Sequence, residues 1–214
     1  KWKYCNLYIR EIFGDHLSDK VLIADESQHL LGRCAPVLYN NQVYLPLYDE
    51  LDCKCVVYGG SGFNYRKTFE FGEDEIQPAL YHDGIYFRAL TRNFKSKRTT
   101  TRLHKKTLHD FYEVADTEIP NNNSSIAVLS LNDLAFVVYN DSEDPIRKNL
   151  TIGYIADNKF MKVKMIDAYG HYPSIIRHND EFIISYTSFY HTIKVVRLNV
   201  YSFLNDCGYY VKMR

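Results

Sequence analysis

A segment made of an apolar strand, a polar turn and a second apolar strand recurs four times along the 214-residue chain. This repeat constrains the fold more than any other feature. Asn, Asp, Gly and His fill the middle of each copy, where they supply the turn chemistry of a β-hairpin. The copies are APVLYNNQVYLPLYDE, QPALYHDGIYFRALTR, SIAVLSLNDLAFVVYN and YPSIIRHNDEFIISYT. Steps of 42, 48 and 47 residues separate the aligned residues Pro36, Pro78, Ile126 and Pro173.

The period of the repeat predicts a β-propeller, because repeats of about 40–50 residues with several strands each are typical of propeller blades. A further strand candidate follows each hairpin at a similar distance, so each repeat is expected to hold three to four strands. These candidates are CKCVVYG, TTTRLHKKT, NLTIGYIAD and TIKVVRLNV. Alternating strands with short turns also describe a β-sandwich, which stays open as an alternative fold.

Composition limits the classes of partner. Hydrophobic residues make up 46% of the chain and charged residues 24%, which is enough for a sizeable core. No apolar run approaches the roughly 20 residues that cross a bilayer, so we expect no membrane span. The 26 Lys and Arg balance the 26 Asp and Glu, so nucleic acid is not an expected partner unless a local patch binds it. The basic run at residues 92–106 is either such a patch or, as we favour, a solvated hairpin.

The five cysteines are an odd number, so at least one thiol is unpaired within the chain. Cys53 and Cys55 are two residues apart in a predicted strand, and we expect both thiols on one face. A second cysteine or histidine pair at ligand spacing is lacking, so we expect no metal site and no cofactor. Reduced, half-buried thiols are the simpler interpretation, and they leave the compartment open.

Several segments in order make residues 21–200 resemble the later blades of sialidase-like proteins of the BNR-repeat (Asp-box) family. They are LGRCAPVLYNNQVYLPLYDE, EIQPALYHDGIYFRALTRN, IPNNNSSIAVLSLNDLAFVVYND, RKNLTIGYIADN and YPSIIRHNDEFIISYT. The family's propellers have six blades, so the resemblance implies an all-β, sialidase-type propeller that is incomplete in this chain, with about four blades. We expect one domain over residues 1–214. Residues 1–20 would be a remnant of a preceding blade, 21–200 four repeats and 201–214 a C-terminal strand or tail.

Two departures from the family pattern accompany the resemblance. The Asp-box is degenerate, since YGGSGFNYRKTF, RLHKKTLHDFY and YIADNKFMKV occupy its places without the family's tryptophan. The opening blades, which in the family carry the first arginine and the acid/base aspartate, are not expected among the four repeats.

The resemblance also implies a chemistry. In sialidases a tyrosine attacks the anomeric carbon, a glutamate takes its proton and three arginines bind the substrate carboxylate. The matching positions are Tyr172 for the nucleophile and Arg92 and Arg147 for two arginines. A guanidinium matches a carboxylate with two parallel hydrogen bonds, and a tyrosine nucleophile suits an anionic sugar whose charge would repel Asp or Glu. Alternatively, Tyr172 packs beside Pro173 in the channel and the arginines are solvated loop residues.

The glutamate position falls on Gln77, whose amide cannot accept the tyrosine proton. Glu75 is two residues earlier, is expected on the same side of the strand, and could act as the base if the register slips. Strand ends that face a propeller channel are natural places for polar ligand contacts. Further candidates of this kind are Arg33, Asp49, Glu50 and Asn123, for which turn capping is the alternative.

The resemblance implies a glycan-directed protein. It is either an exo-glycosidase acting on sialylated or other acidic glycans, or a degenerate glycan binder. The alternative is a catalytically inactive propeller that serves as an interaction or structural subunit of a larger assembly, which Gln77 and the degenerate Asp-boxes favour. The expected partner is a glycan with a carboxylate-bearing sugar, or another chain that completes the propeller. The resemblance favours a secreted or extracellular location.

Overall fold

The computed structural model describes residues 4–62, 64–93, 100–106, 111–120, 123–144 and 146–208. Two short strand pairs come first, followed by a 3₁₀ helix at Glu26–Gln28. The strands of these pairs are β1 (Leu7–Ile9), β2 (Ile12–Phe13), β3 (His16–Leu17) and β4 (Val21–Ala24). β1 pairs with β4 and β2 with β3, both antiparallel.

Four antiparallel sheets then follow one another along the chain. The first contains β5 (Leu30–Gly32), β6 (Val37–Tyr39), β7 (Gln42–Asp49), β8 (Lys54–Ser61) and β9 (Asn64–Phe71). The second contains β10 (Glu75–His82), β11 (Phe87–Asn93), β12 (Thr100–Lys106) and β13 (Phe111–Pro120). The third contains β14 (Ala127–Leu131), β15 (Leu134–Asn140), β16 (Leu150–Ala156) and β17 (Lys159–Asp167). The fourth contains β18 (Gly170–His178), β19 (Glu181–Ser188) and β20 (Thr192–Asn199), and the helix α1 (Val200–Asp206) follows it.

The sheets are arranged as the blades of a β-propeller, as the repeat predicts. Within the second, third and fourth sheets each strand pairs with the next strand in the chain, and the inner strands β10, β14 and β18 lie side by side. A cavity of about 40 Å³ is lined by residues from all four repeats, at positions 33–35, 79–80, 126–128 and 173–175. Two stacked sheets could not bring four successive hairpins to one such centre. The β-sandwich alternative is therefore wrong.

The core lies between neighbouring blades, because the central strands bury both of their faces. Val57 and Phe71 of the first blade pack against Leu80 and Phe111 of the second. The second and third blades meet in the same way, through a cluster that includes Leu90, Leu103, Val137 and Tyr139. The third and fourth meet through a cluster that includes Phe136, Ile152, Phe182 and Ile184. Each fully buried side chain of this size contributes about 1.5–3 kcal/mol, so these interfaces hold the blades in register.

A helix, α1, follows β20 where a strand or tail was predicted. The side chain of Asn199 accepts a hydrogen bond from the Ser202 backbone N–H at 3.0 Å, which caps the helix. Val200, Phe203 and Leu204 share one helical face and are buried against the third and fourth blades. Apolar residues spaced three and four apart indicate a helix, but the strand pattern of the rest of the chain obscured this signal.

The expectation for the cysteine pair is wrong. β8 begins at Lys54, so Cys53 lies in the preceding turn with a left-handed backbone (φ 55). Strand alternation therefore does not apply, and Cys53 packs with Tyr48 and Ile76 whereas Cys55 packs in the cluster between the first two blades. Cys34, Cys55 and Cys207 are free thiols. Across the described ranges, no three His, Cys, Asp or Glu side chains are grouped so that they could hold a metal ion.

The degenerate Asp-box segments lie at the turns between the last two strands of their blades, where these residues are described. The β8–β9 turn contains Gly62, and the β16–β17 turn contains Asp157 and Asn158, both left-handed. The corresponding turn of the second blade, at residues 107–110, and residues 94–99 of the basic run lie outside the described part of the chain. No helix of the described residues has the length and apolar character that a membrane span requires.

Candidate functional site

In three of the four blades the inner strand is interrupted beside the central cavity. In the first blade β5 and β6 both pair with β7, and Arg33 lies in the gap between them. In the second and fourth blades the pairing register shifts around Gln77 and around Tyr172. In the third, Asn123 precedes β14. A bulge of this kind redirects the local side chain, and such interruptions are common next to binding sites.

Three of these residues have a left-handed backbone, with φ values of 55° at Gln77, 59° at Asn123 and 54° at Tyr172. Glutamine and tyrosine adopt this conformation rarely, and each such residue raises the energy of the native state by about 1–3 kcal/mol. A proline, Pro78 or Pro173, follows each of the two unusual residues. Strained backbone is often found at functional sites, so its recurrence in separate blades supports a shared functional rim.

Three arginines converge at this rim. The backbone carbonyl of Asn123 accepts hydrogen bonds from Arg92 Nη1 and from Arg147 Nη2, the latter at 3.3 Å. Arg147 Nη1 donates to the phenol oxygen of Tyr172, and its guanidinium carbon lies 4.6 Å from the centroid of the tyrosine ring. Arg33 is 5.3 Å from the same centroid, and Ser125 Oγ accepts from its Nε at 3.2 Å. The predicted residues Tyr172, Arg92, Arg147, Arg33 and Asn123 therefore form one contact group.

The group carries three positive charges, and the Glu50 carboxylate is close enough to one of them, Arg92, to raise its pKa. Over the part of the chain that the structure describes, Arg33, Arg92 and Arg147 form no ion pair with Asp or Glu. Arg92 is 6% exposed, and its Nε is buried without a hydrogen-bond partner. Burial lowers the pKa of Arg92 to about 10, and the nearby charge of Arg147 also lowers it, although Tyr48 and Glu50 act in the opposite direction. Such a group favours an anion in front of it.

Gln77 lies on the same rim but has a different neighbour. Its Nε2 donates to the hydroxyl of Tyr48 at 3.3 Å, while its Oε1 is buried and has no hydrogen-bond partner. Burial raises the pKa of Tyr48, the hydrogen bond from Gln77 lowers it, and the charge of Glu50 raises it. Among the described residues the Tyr172 phenol contacts an arginine and no carboxylate. A base for a tyrosine nucleophile is therefore lacking from these contacts.

Glu75 has other hydrogen-bond partners than Gln77, although the sequence analysis expected both on one side of the strand. It is completely buried, and its Oε2 accepts from Thr91 Oγ1 at 2.8 Å and lies 2.6 Å from His104 Nε2. The register shift between Ile76 and Ala79 interrupts the two-residue alternation on which the expectation depended. The structure thus places this carboxylate in a buried network within the second blade.

The remaining carboxylate candidates separate in the same way. Asp49 Oδ1 accepts from the backbone N–H groups of Leu51 and Asp52 at 2.8 and 3.1 Å, so it caps the β7–β8 turn. Glu50 is close enough to Tyr48 and Arg92 to influence their pKa values. Sequence reasoning missed Tyr48 and Ser125, which orient Gln77 and Arg33, because neither residue type distinguishes a site position from an ordinary strand position.

The sequence matches the family model described as a BNR repeat-like domain over residues 22–185, which is most of the chain. No curated protein matches it. Among solved structures, a Hadza microbial sialidase has a TM-score of 0.72 at 13% identity, covering 92% of this chain and 44% of its own. A Trypanosoma rangeli sialidase, solved as a covalent intermediate with 2,3-difluorosialic acid, has a TM-score of 0.68 at 8% identity.

That trypanosomal match covers 94% of this chain and 39% of the sialidase. A β-1,2-mannobiose phosphorylase from Listeria innocua, solved with β-1,2-mannobiose, has a TM-score of 0.62 at 8% identity and covers 81% of this chain and 59% of its own. This chain therefore spans about two fifths of the length of the sialidases it resembles. At these identities the likeness shows a common fold.

Proposed function

This chain belongs to the BNR repeat-like domain family, and we propose that it is a sialidase-like propeller that binds the carboxylate of an acidic sugar at the rim of its central cavity. The predicted substrate-binding residues Arg33, Arg92 and Arg147 hold the carboxylate in this proposal. Asn123 orients two of them through its carbonyl.

One observation carries the proposal. Three guanidinium groups meet around Tyr172 and Asn123 with no carboxylate paired to them among the described residues, and one of the three is 6% exposed. A buried guanidinium without a carboxylate partner lowers the stability of the unliganded fold, and an anionic ligand would supply the missing charge. A planar guanidinium matches the geometry of a carboxylate better than a lysine ammonium or a neutral hydroxyl group does. Sialic acid is the acidic sugar named with two of the T. rangeli sialidase structures that this fold resembles, which supports the same class of ligand.

We infer binding without hydrolysis by the tyrosine mechanism. The residue at the base position is Gln77, and an amide cannot accept the proton of Tyr172. The other predicted base, Glu75, is bound by Thr91 and His104 inside the second blade. The phenol is instead hydrogen-bonded to Arg147, which makes it a positioning group for an anion-binding guanidinium.

The test is calorimetric titration of the protein with N-acetylneuraminic acid and with its methyl ester. The acid is expected to bind and the ester to bind at least tenfold more weakly, because the ester lacks the charge that the arginines recognise. Arg92→Met is expected to abolish binding of the acid. Arg66→Ala is the matched control, since Arg66 is an exposed arginine on β9. Equal affinity for acid and ester, or unchanged affinity of the Arg92 variant, would overturn the proposal.

Hydrolysis of a chromogenic sialoside separates the binder from the enzyme. We expect no release of the chromophore by the wild-type protein. Release that disappears in Tyr172→Phe would establish the exo-glycosidase version instead, with Tyr172 as nucleophile.

A second candidate function, an interaction subunit, is favoured by one surface. On the fourth blade Ile176, Ile193 and Val195 are 53%, 79% and 58% exposed. Exposed apolar strands of this kind are candidate contact surfaces for another chain. Light scattering after gel filtration would report self-association that Ile193→Lys removes; a concentration-independent monomer would count against this candidate as a self-assembling subunit.

A further inference from the structure

A further cavity lies between the second and third blades, at the ends of their inner strands that are remote from the arginine group. Gln77 is near the start of β10 and Asp83 directly follows its end, so about 20 Å of extended chain separates the two places. This cavity has a volume of about 340 Å³, within the range of about 300–1,000 Å³ that is usual for ligand pockets. We call it the interblade cavity.

The turn between β10 and β11 forms one wall of the interblade cavity, and it is longer than its counterparts. The corresponding hairpins of the other blades turn at residues 40–41, 132–133 and 179–180, whereas this one turns through residues 83–86. Asp83 Oδ1 accepts hydrogen bonds from the backbone N–H groups of Ile85 and Tyr86 at 3.1 and 2.6 Å, which fix the turn. The longer turn thereby places the exposed side chains of Ile85 and Tyr86 at the cavity.

Two buried polar groups of the cavity wall lack hydrogen-bond partners among the described residues. Tyr81 is 2% exposed and its hydroxyl has no partner, and Arg88 is 7% exposed and its Nη1 has none. Arg88 Nε donates to Asp83 Oδ2, so one edge of the guanidinium is paired while another donor stays unused. Burial raises the pKa of Tyr81, so its phenol keeps the proton and can both donate and accept. Buried polar groups without partners are uncommon, and a ligand in the cavity would supply the missing contacts.

The third blade forms the opposite wall with carboxylate and amide groups. Asp133 lies in the β14–β15 turn, and Asp157 and Asn158 form the β16–β17 turn. All three are exposed, and within the described ranges neither aspartate is ion-paired with Lys, Arg or His. The hydrogen bond from His82 N to Ser130 Oγ at 3.0 Å joins the two blades close to the cavity. This wall therefore presents hydrogen-bond acceptors to a ligand, opposite the donor of Arg88.

The two walls together favour a neutral ligand with several hydroxyl groups. An anion would be repelled by the aspartates Asp133 and Asp157. A cation would leave the unused N–H of Arg88 without an acceptor, and Lys105, whose Nζ lies 3.3 Å from the centroid of the Tyr86 ring, adds positive charge beside the cavity. A hydroxyl group can donate to a carboxylate and accept from a guanidinium at the same time, so it suits both walls.

We propose that the interblade cavity binds a neutral sugar ring. In this proposal Tyr81 and Arg88 contact hydroxyl oxygens of the sugar, and Asp133 and Asp157 accept hydrogen bonds from its hydroxyl groups. Ile85 contacts the C–H groups of the ring, which a sugar carries beside its hydroxyls. The inference goes beyond the proposed function and does not depend on it, because the arginine group selects an acidic sugar at a separate place.

The test on the intact chain uses three neutral probes, the methyl pyranosides of glucose, galactose and mannose. Saturation-transfer NMR detects binding, and calorimetry gives the affinity. At least one of the three is expected to bind with a millimolar Kd, and an excess of N-acetylneuraminic acid is not expected to displace it. The uronic acid and the amino sugar of the same configuration carry one charge each and are expected to bind at least about tenfold more weakly.

Two variants locate the bound sugar. Tyr81→Phe should weaken its binding about fivefold without lowering the melting temperature, because the hydroxyl has no partner in the unliganded fold. The control is Tyr139→Phe, at a buried tyrosine of the same cluster between blades that does not line the cavity. Asp133→Ala changes an exposed turn residue, so it should weaken binding by a similar factor without affecting the fold. Its control is Asp180→Ala, at the corresponding turn position of the fourth blade.

The outcomes are distinct. Weaker binding in Tyr81→Phe and Asp133→Ala, with unchanged binding in both controls, supports the site. Absence of saturation transfer from all three neutral sugars overturns the proposal, and so does displacement of the bound sugar by N-acetylneuraminic acid or equal weakening in variants and controls. Preferential binding of the uronic acid or the amino sugar overturns the neutral class of ligand and with it the proposal. None of these results bears on the affinity of the arginine group for an acidic sugar.

Discussion

Replacing Arg92 by methionine is expected to stabilise the unliganded protein while it abolishes binding of the acidic sugar. Arg92 is buried, its guanidinium has no carboxylate partner among the described residues, and Arg147 adds positive charge nearby. Methionine fills a similar volume without charge. The variant therefore separates the energy of the fold from the energy of the site.

The magnitude of the stabilisation expected for Arg92→Met follows from the pKa of Arg92. Burial lowers the pKa of Arg92 from its ordinary value to about 10 in the folded protein. At about 1.4 kcal/mol for each tenfold change in the protonation equilibrium, the charged form destabilises the fold by about 3 kcal/mol. Loss of the hydrogen bond to the Asn123 carbonyl offsets about 1–2 kcal/mol of this. The net gain for Arg92→Met is thus about 1–2 kcal/mol. Because the folded pKa is depressed for a cation, the destabilisation is present throughout the range below about pH 10, and the gain should not vary between pH 6 and 8.

Urea unfolding with and without N-acetylneuraminic acid measures both effects. The matched control is Arg88→Met, because Arg88 is 7% exposed and Arg92 6%, but Arg88 is ion-paired with Asp83. Removing one partner of a largely buried pair is expected to destabilise the protein by about 2–3 kcal/mol, the opposite sign. Wild-type protein should gain stability from the sugar by mass action, and the Arg92 variant should not. Destabilisation of Arg92→Met by more than about 1 kcal/mol would refute the reasoning, since Arg92 would then be a structural residue.

Three further outcomes are expected. Glu75→Ala should lower the free energy of unfolding by about 3 kcal/mol without changing sugar affinity, because the substitution opens a buried network. The control is Glu73→Ala at an exposed neighbour, which should change the free energy of unfolding by less than about 0.5 kcal/mol in the same urea titration. Burial lowers the pKa of His171, so stability should fall as the pH drops below the ordinary histidine value of 6.5, and His171→Asn should flatten that part of a melting-temperature profile. Tyr172→Phe should weaken sugar binding about threefold by calorimetry, because Arg147 loses the oxygen that orients it, and an unchanged affinity would contradict this.

The repeat alone was sufficient to predict the strands and the propeller, because turn residues and apolar strands are local signals. Asn132 and Asn179 have the left-handed backbone that their hairpin turns require. Tyr172, Arg92 and Arg147 were identified by resemblance, and the structure brings them into contact with one another or with Asn123. Their roles remain predictions.

Three features were beyond the sequence pattern, each for a local physical reason. The shift in register after Ile76 interrupts the alternation from which a common side for Glu75 and Gln77 was expected, and nothing in the pattern of apolar residues marks where a bulge falls. Cys53 lies in a turn, so the strand alternation that would place the thiols of Cys53 and Cys55 on one face does not apply. Tyr169 and Phe189 come from two strand ends, so only the register of β18 against β19 reveals that their rings meet.

The interruptions of the inner strands beside the central cavity have a consequence for how such proteins diversify. Each interruption lies outside the regular ladder of its own blade, so the amino acid there can be exchanged without loss of interstrand pairing elsewhere. The exchange of a family glutamate for Gln77, which the resemblance implies, would be of this kind. The residues of the site could therefore change one blade at a time during evolution, while the residues that hold the blades together are selected separately.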